Sequence, residues 1–236
     1  MIEAVVFDFD GLVFDSETHE YDVVREIFRE HGAELPLEVW GRCVGRASGW
    51  FDPFAHLEDC IGRPVDREAL AALRHERFHA RIQGQGPLPG VEATIDAARA
   101  HGLRVGLASS GTRRWVHGQL ERLGLLHRFD AVRVREDVRE VKPDPELYLS
   151  VLAALGVEPA NAVAFEDSPN GALAARRAGM RCVVIPNAVT AGLEFGDTDL
   201  RLESMLDVQL PALFDRLLAS EGGGPPDVAS AEPSAA

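Results

Sequence analysis

The sequence predicts an α/β protein with a parallel sheet and a small helical domain inserted after the first strand. Three observations lead there. From residue 91 onward short apolar runs alternate with helical patterns; the first apolar run, at 3–7, lies far from the second, at 103–108; and the stretch between has helical spacing and no convincing strand. Strands alternating with helices of this length indicate a parallel sheet covered on both faces. A crossover between neighbouring parallel strands needs only about 30 residues. The surplus, residues 15–86, therefore reads as a separate helical unit, with the larger domain made of 1–14 and 87–220.

Taken in order, 3–7 is an apolar run bounded by Asp8, Asp10 and Gly11, as expected for a strand buried on both faces. Ser16 offers an N-cap, with Glu17 and Glu20 in the first turn. Tyr21, Val24, Ile27 and Phe28 recur at helical spacing until Gly32 stops the pattern. The clearest helix of the insertion covers 66–82. The run from Pro87 to Gly90 reads as a connector. Helices at 91–101, 113–123, 145–155 and 169–178 then alternate with strands at 103–108, 131–134, 162–165 and 181–185. The tail, 221–236, is Gly, Pro, Ser and Ala with almost no bulky apolar residue, a composition that predicts disorder.

Composition narrows the function. A chain of 236 residues with 46% hydrophobic content can bury a proper core. A formal net charge of -14 repels long polyanions and speaks against nucleic acid. It repels a small phosphorylated substrate too, unless a metal ion and a few cations reverse the sign locally. Cys43, Cys60 and Cys182 are scattered and read as buried thiols in a reducing compartment. No signal peptide or membrane span is visible, so the expected location is the cytoplasm.

Four constellations carry chemistry. Asp8 and Asp10 are two apart at a strand end, so both carboxylates leave on one side. Such a pair suits a nucleophile or metal ligand beside an acid–base group, though a solvated strand end or part of a calcium loop fits the same spacing. Ser109 and Ser110, before Gly111, open a helix and could cradle a phosphate or simply cap it. Lys142 is the one lysine among 24 Lys plus Arg. A compact ammonium there can sit between carboxylates and a phosphate oxygen, where a guanidinium would be too bulky. Glu166 and Asp167 end another strand and are oxygen ligands of the kind Mg²⁺ prefers, while Ser168 before Pro169 fits an N-cap. Each is weak alone. Their shared placement near strand ends is what gives them weight.

His75-Glu76-Arg77-Phe78-His79 matches the H-E-x-x-H zinc-peptidase pattern on a predicted helix. That helix also carries Arg67, Arg74, Arg77 and Arg81, and no third ligand stands nearby in sequence. A solvated helix face is the better reading.

Together these residues resemble the haloacid dehalogenase superfamily, and within it the beta-phosphoglucomutase-like phosphatases. The segment from Asp8 to Glu17 looks like motif I, Ser109 like motif II, Lys142 with Pro143 like motif III, and Glu166-Asp167 like motif IV. The resemblance implies a Rossmann-like core with a helical cap at 15–86. It implies that Asp8 attacks phosphorus and that Asp10 protonates the leaving oxygen and later activates water. Ser109, Ser110 and Lys142 would grip the phosphoryl oxygens. Mg²⁺ would be held by Asp8, the Asp10 backbone carbonyl and Asp167, with Glu166 as a helper. The expected substrate is a small phosphorylated metabolite, contacted in the cap by His19, Glu20, Arg46 and Trp50. An aspartate at position 10 disfavours a dehalogenase. A phosphosugar mutase is the alternative, but its cap histidine would align at Glu20, and its cap arginine has no secure counterpart beyond nearby Arg42 and Arg46. A phosphate-binding module without turnover is a third reading, and the intact Asp8/Asp10 pair argues against it.

Overall fold

A computed structural model of the chain describes residues 1–41 and 51–219. Arg42, Cys43, Arg46, Trp50 and the tail at 221–236 lie outside the described residues.

Six strands, β1 (Ala4–Phe7), β2 (Arg104–Ala108), β3 (Ala131–Arg133), β4 (Ala162–Glu166), β5 (Arg181–Val184) and β6 (Leu200–Arg201), form one parallel sheet in the order β3-β2-β1-β4-β5-β6. β1 is central, with Phe7 in register with Leu107 on one side and Phe165 on the other. Alternate residues supply the two faces. Val5, Phe7, Leu107, Val163 and Phe165 join one apolar cluster, while Ala4, Val6, Ala108, Ala162 and Ala164 join another. Such near-continuous apolar runs are what a sheet covered on both sides requires.

The helices are α1 (Ser16–Glu30), α2 (Leu37–Gly41), α3 (Pro53–Ile61), α4 (Arg67–Ile82), α5 (Val91–Ala100), α6 (Arg113–Arg122), α7 (Glu146–Leu155), α8 (Pro169–Arg177) and α9 (Leu210–Ala219). The sheet face with Ala4 and Val6 packs against Leu147, Tyr148 and Val151 of α7 and Ala172 and Ala175 of α8. The other face packs against Val91 and Ile95 of α5, Val116 and Leu120 of α6, and Leu213 of α9. Both α9 and the two-residue β6 are additional to the elements legible in sequence. Among the described residues no helix is long and apolar enough to cross a membrane.

Between β1 and α5 the described chain is helical. α1 and α4 lie side by side, joined by ion pairs of Arg74 with Glu20, Arg77 with Glu30 and Arg81 with Glu26. The arginines expected on a solvated face of α4 are thus partly spent on α1. On the same helix His75 and Glu76 are exposed, Phe78 is buried, and His79 is half-buried. Where the chain leaves and re-enters the sheet region the two crossings touch, because the Leu88 amide donates to the Val13 carbonyl at 2.9 Å.

Two local expectations need correction. Asp15, not Ser16, caps α1, accepting from the Thr18 amide at 3.1 Å. Ser16 is the first helical residue, and its hydroxyl donates instead to Asp10 at 2.7 Å. Cys182 is a buried thiol, but Cys60 is exposed in the last turn of α3, beyond the buried stripe of Phe54 and Leu57. Ser168 caps α8 as expected, accepting from the Gly171 amide at 3.1 Å.

Candidate active site

The sheet order changes direction at β1, whose neighbours are β2 and β4. Open α/β sheets bind ligands outside the carboxyl ends of the strands at such a switch point. Asp8 follows β1, Ser109 follows β2, and Glu166-Asp167 closes β4, so three of the four constellations line one sheet edge. Lys142 comes from the loop between β3 and α7, with its side chain buried and its Nζ reaching both Asp8 Oδ1 and, at 2.6 Å, Glu166 Oε1.

Glu166 is fully buried and heavily engaged. Its Oε1 accepts from Lys142 and the Tyr148 hydroxyl, and its Oε2 accepts from Ser168 at 3.4 Å. Asp167 Oδ2 accepts from Asn187 Nδ2 at 2.7 Å, and Asn187 also donates to the Gly11 carbonyl at 3.3 Å. Gly11 has φ of 86°, and a Cβ there would lie 2.2 Å from Asp167 Oδ2. The turn after Asp10 therefore needs glycine both for its backbone and for room.

Asp10 faces differently from Asp8. Its Oδ1 accepts from Ser16 at 2.7 Å and from the Trp115 indole at 2.8 Å, and its Oδ2 lies 3.4 Å from Ser109 Oγ. Ser109 in turn accepts from the Gly111 amide at 2.9 Å. The Ser110 hydroxyl is buried with no partner among the described residues. A donor left in that state beside a strand end is suited to an oxygen supplied by a ligand.

Oxygen atoms of Asp8, Glu166 and Asp167 lie within 4.8 Å of one another, the one group of this kind among the described residues. Burial pushes the Asp8 carboxyl up to about 7, against the opposing pull of Lys142. Burial, with Asp8 and Glu166 nearby, pushes Asp167 well above the usual carboxylate range. For Lys142 burial acts downward, but Asp8 and Glu166 more than offset it, so the ammonium is held charged. Asp10 is raised mainly by burial, with its three donors pulling the other way. Although Glu17 is half-buried as a residue, lost solvation and the charges of Asp10, Glu20, Asp8 and Asp15 push its carboxyl up to about 8. One ammonium among so many carboxylates leaves an excess of negative charge in a dry site. An all-oxygen donor set with that excess fits a hard divalent cation.

Above Asp10 lies a cavity of about 230 Å³ lined by Asp10, Ser16, Glu17, Glu20, Phe78 and Trp115. A second, of about 320 Å³, shares Glu20, Phe78 and Trp115 and adds Ala71, Arg74, His75 and His79. Glu20, one of the expected cap contacts, thus reaches the site, tied to Arg74. His19 is half-buried and lines neither cavity. No third ligand joins His75 and His79 among the described residues. Sequence reasoning missed Trp115, Tyr148, Asn187, Arg74 and Phe78. Asn187 alone had a usable signal, since it follows β5 at the same sheet edge.

Glu166 is also the tightest point of the site. A Cβ on Gly171 would lie 2.0 Å from the Glu166 carboxyl. Gly171→Ala is therefore expected to cost about 1–3 kcal/mol through overpacking. It should also lower activity by displacing the partner of Lys142. Thermal melting and a phosphatase assay on the purified variant check this, and a variant matching wild type in both would contradict the packing argument.

The comparisons with known proteins agree with this geometry. A family model for haloacid dehalogenase-like hydrolases matches residues 5–185. The chain belongs to that family, and within it to the phosphatases. YhcW of Bacillus subtilis (strain 168), provisionally named a phosphatase, is 53% identical over 217 residues, covering 92% of this chain and 98% of that protein. Validoxylamine A 7'-phosphate phosphatase of Streptomyces hygroscopicus subsp. limoneus is 31% identical, covering 89% of this chain and 98% of the relative. Among solved structures, CbbY from Rhodobacter sphaeroides in complex with phosphate superposes with a TM-score of 0.70 at 30% identity, covering 91% of this chain and all of that one.

Proposed function

We propose that the chain hydrolyses a small phosphorylated metabolite in a Mg²⁺-dependent reaction, through an aspartyl-phosphate on Asp8. The observation that carries this reading is the buried Asp8–Lys142–Glu166 group beside Asp167, with Asp10 held separately by its own donors. The two aspartates have different surroundings, and different surroundings suit different roles.

In this reading Asp8, as carboxylate, attacks the phosphorus and the ester oxygen departs. Asp10 donates a proton to that oxygen and takes one from the water that later attacks the aspartyl-phosphate. Ser109, Ser110 and Lys142 hold the phosphoryl oxygens, Lys142 supplying positive charge where negative charge concentrates. Mg²⁺, held by Asp8, Asp167 and Glu166, supplies further charge neutralisation when bound. The engaged side chain of Asp10 leaves its backbone carbonyl for any part it plays in holding the ion.

We further propose that 15–86 form a cap over a core of 1–14 and 87–220. The α1–α4 ion pairs and the paired crossings at Val13 and Leu88 support it. Substrate selection would then lie with Glu20, Arg74 and their neighbours, together with Arg46 and Trp50, and water exclusion with cap closure. A phosphosugar mutase would need a bisphosphate primer for turnover. Glu20, paired with Arg74, does not supply the histidine that reading calls for.

The test is phosphate release from a panel of phosphorylated sugars, polyols and glycolate, with Mg²⁺ and after EDTA. Release is expected to fall to background with EDTA and to return with Mg²⁺. Undiminished release without divalent metal would remove the acidic cluster from the mechanism.

A further inference from the structure

Trp115, on α6, belongs to none of the four constellations, yet it meets Asp10 directly. Its indole Nε1 donates to Asp10 Oδ1 at 2.8 Å, and Ser16 Oγ is 2.7 Å from the same oxygen. Asp10 Oδ2 points instead toward Ser109, at 3.4 Å. An indole N–H can donate but cannot accept, whereas a hydroxyl can do either. A proton on Oδ1 would therefore have to displace the indole or force Ser16 to turn and accept, while a proton on Oδ2 keeps both Oδ1 bonds and asks only the more distant Ser109 hydroxyl to turn. Oδ2 is on the Ser109 side, where the phosphoryl group and its ester oxygen have to lie.

The ring is held from two directions. Its centroid lies 6.5 Å from Phe9 and 6.4 Å from Phe14, which flank Asp10 in sequence. On the opposite part of the fold it lies 5.6 Å from Phe78 of α4. The donor to Asp10 is thus fixed jointly by the strand-end loop and by the inserted helices.

We propose that Trp115 is a positioning residue for the leaving-group acid: its indole keeps the acid proton of Asp10 on Oδ2 and ties that arrangement to α4. This rests on Asp10 being the acid. Leaving-group dependence tests the two ideas separately. Phenyl phosphate and p-nitrophenyl phosphate have nearly one shape, but the phenyl ester has the more basic leaving oxygen and depends more on proton donation.

Trp115→Phe keeps an aromatic ring and removes the N–H. It is expected to lower kcat/KM, which reports only the steps up to departure of the ester oxygen, at least ~5-fold more on phenyl phosphate than on p-nitrophenyl phosphate. Asp10→Asn, run alongside, should show the same selectivity more strongly. If Asp10→Asn lowers kcat/KM equally on both esters, Asp10 is not the acid and the role given to Trp115 falls with it. If Asp10→Asn is selective and Trp115→Phe lowers kcat/KM equally on both, the acid assignment stands and the proposal for Trp115 is overturned. Melting curves establish that Trp115→Phe is folded. Should it not be, benzothienylalanine at position 115, which keeps the bicyclic shape with sulphur in place of N–H, decides by the same ratio.

Discussion

Asp8→Asn is expected to abolish phosphate release, by at least ~10³-fold in kcat, as removal of a nucleophile does when no other group can take its place. Asparagine keeps the shape and can still accept from Lys142, so the loss should come without unfolding. The same substitution is expected to stabilise the metal-free protein at alkaline pH. The folded-state pKa of Asp8 is about 7, raised from 3.8 by burial. Between those values the folded chain keeps a proton that the unfolded chain has lost. The stability contributed by this group is therefore fully present below about pH 4 and is lost as pH rises through about 7. Asparagine does not titrate, so Asp8→Asn should gain on wild type as pH rises, on the order of 2–4 kcal/mol by pH 8. Mg²⁺ should close that gap by stabilising wild type alone. Denaturant melts of both proteins at pH 5 and pH 8, with and without Mg²⁺, read it directly. Parallel pH dependence in the two proteins would mean that Asp8 is not a buried anion at all, and phosphate release surviving in the variant would remove it as nucleophile.

The contrast between what the residues announced and what they concealed has a physical basis. β1, β2, β4 and β5 were legible because strands buried on both faces read as unbroken apolar runs, and the long gap before β2 exposed the helical insertion. Asp8, Ser109, Lys142, Glu166 and Asp167 were legible because strand ends and an isolated lysine are sequence features. β6 has two residues, too few for any period to show. Trp115, Phe78 and Arg74 meet the site through packing between α4, α6 and the loop after β1, which no spacing along the chain records. Ser16 shows the remaining ambiguity. A hydroxyl near a helix start serves equally as a cap or as a donor to a neighbour, and here Asp15 took the cap and left Ser16 to Asp10.

Lys142→Met is expected to destabilise the protein more than any other single change at the site. Lys142 is 3% exposed, and its ammonium is the cation that Asp8 and Glu166 share. Methionine fills most of the same space and removes the charge, leaving two buried carboxylates face to face. Breaking a buried pair in this way costs roughly 3–5 kcal/mol, because Asp8 loses its cation and Glu166 keeps only the neutral hydroxyls of Tyr148 and Ser168. The deficit should be largest in metal-free protein at pH 8 and shrink toward pH 5. Lys142 is what pulls the Asp8 pKa down, so without it Asp8 takes up a proton more readily and one negative charge disappears. Activity should fall about 10²–10³-fold even where the variant is folded, since a preorganised charge near the phosphoryl oxygens is gone. Lys142→Arg separates charge from shape. The side chain also lies with its Nζ 4.9 Å from the centre of the Tyr148 ring, in a space cut for an ammonium. A guanidinium there keeps the charge but overfills the site, at about 1–3 kcal/mol. The arginine variant should therefore be more stable than the methionine variant and still poorly active, since its planar fork cannot place one donor between Asp8 and Glu166 and leave room for a phosphate oxygen. Equal stability of the two variants at pH 8 would show that charge at this position matters less than volume, and full activity in the arginine variant would show that the one lysine in the chain has no special fit to its place.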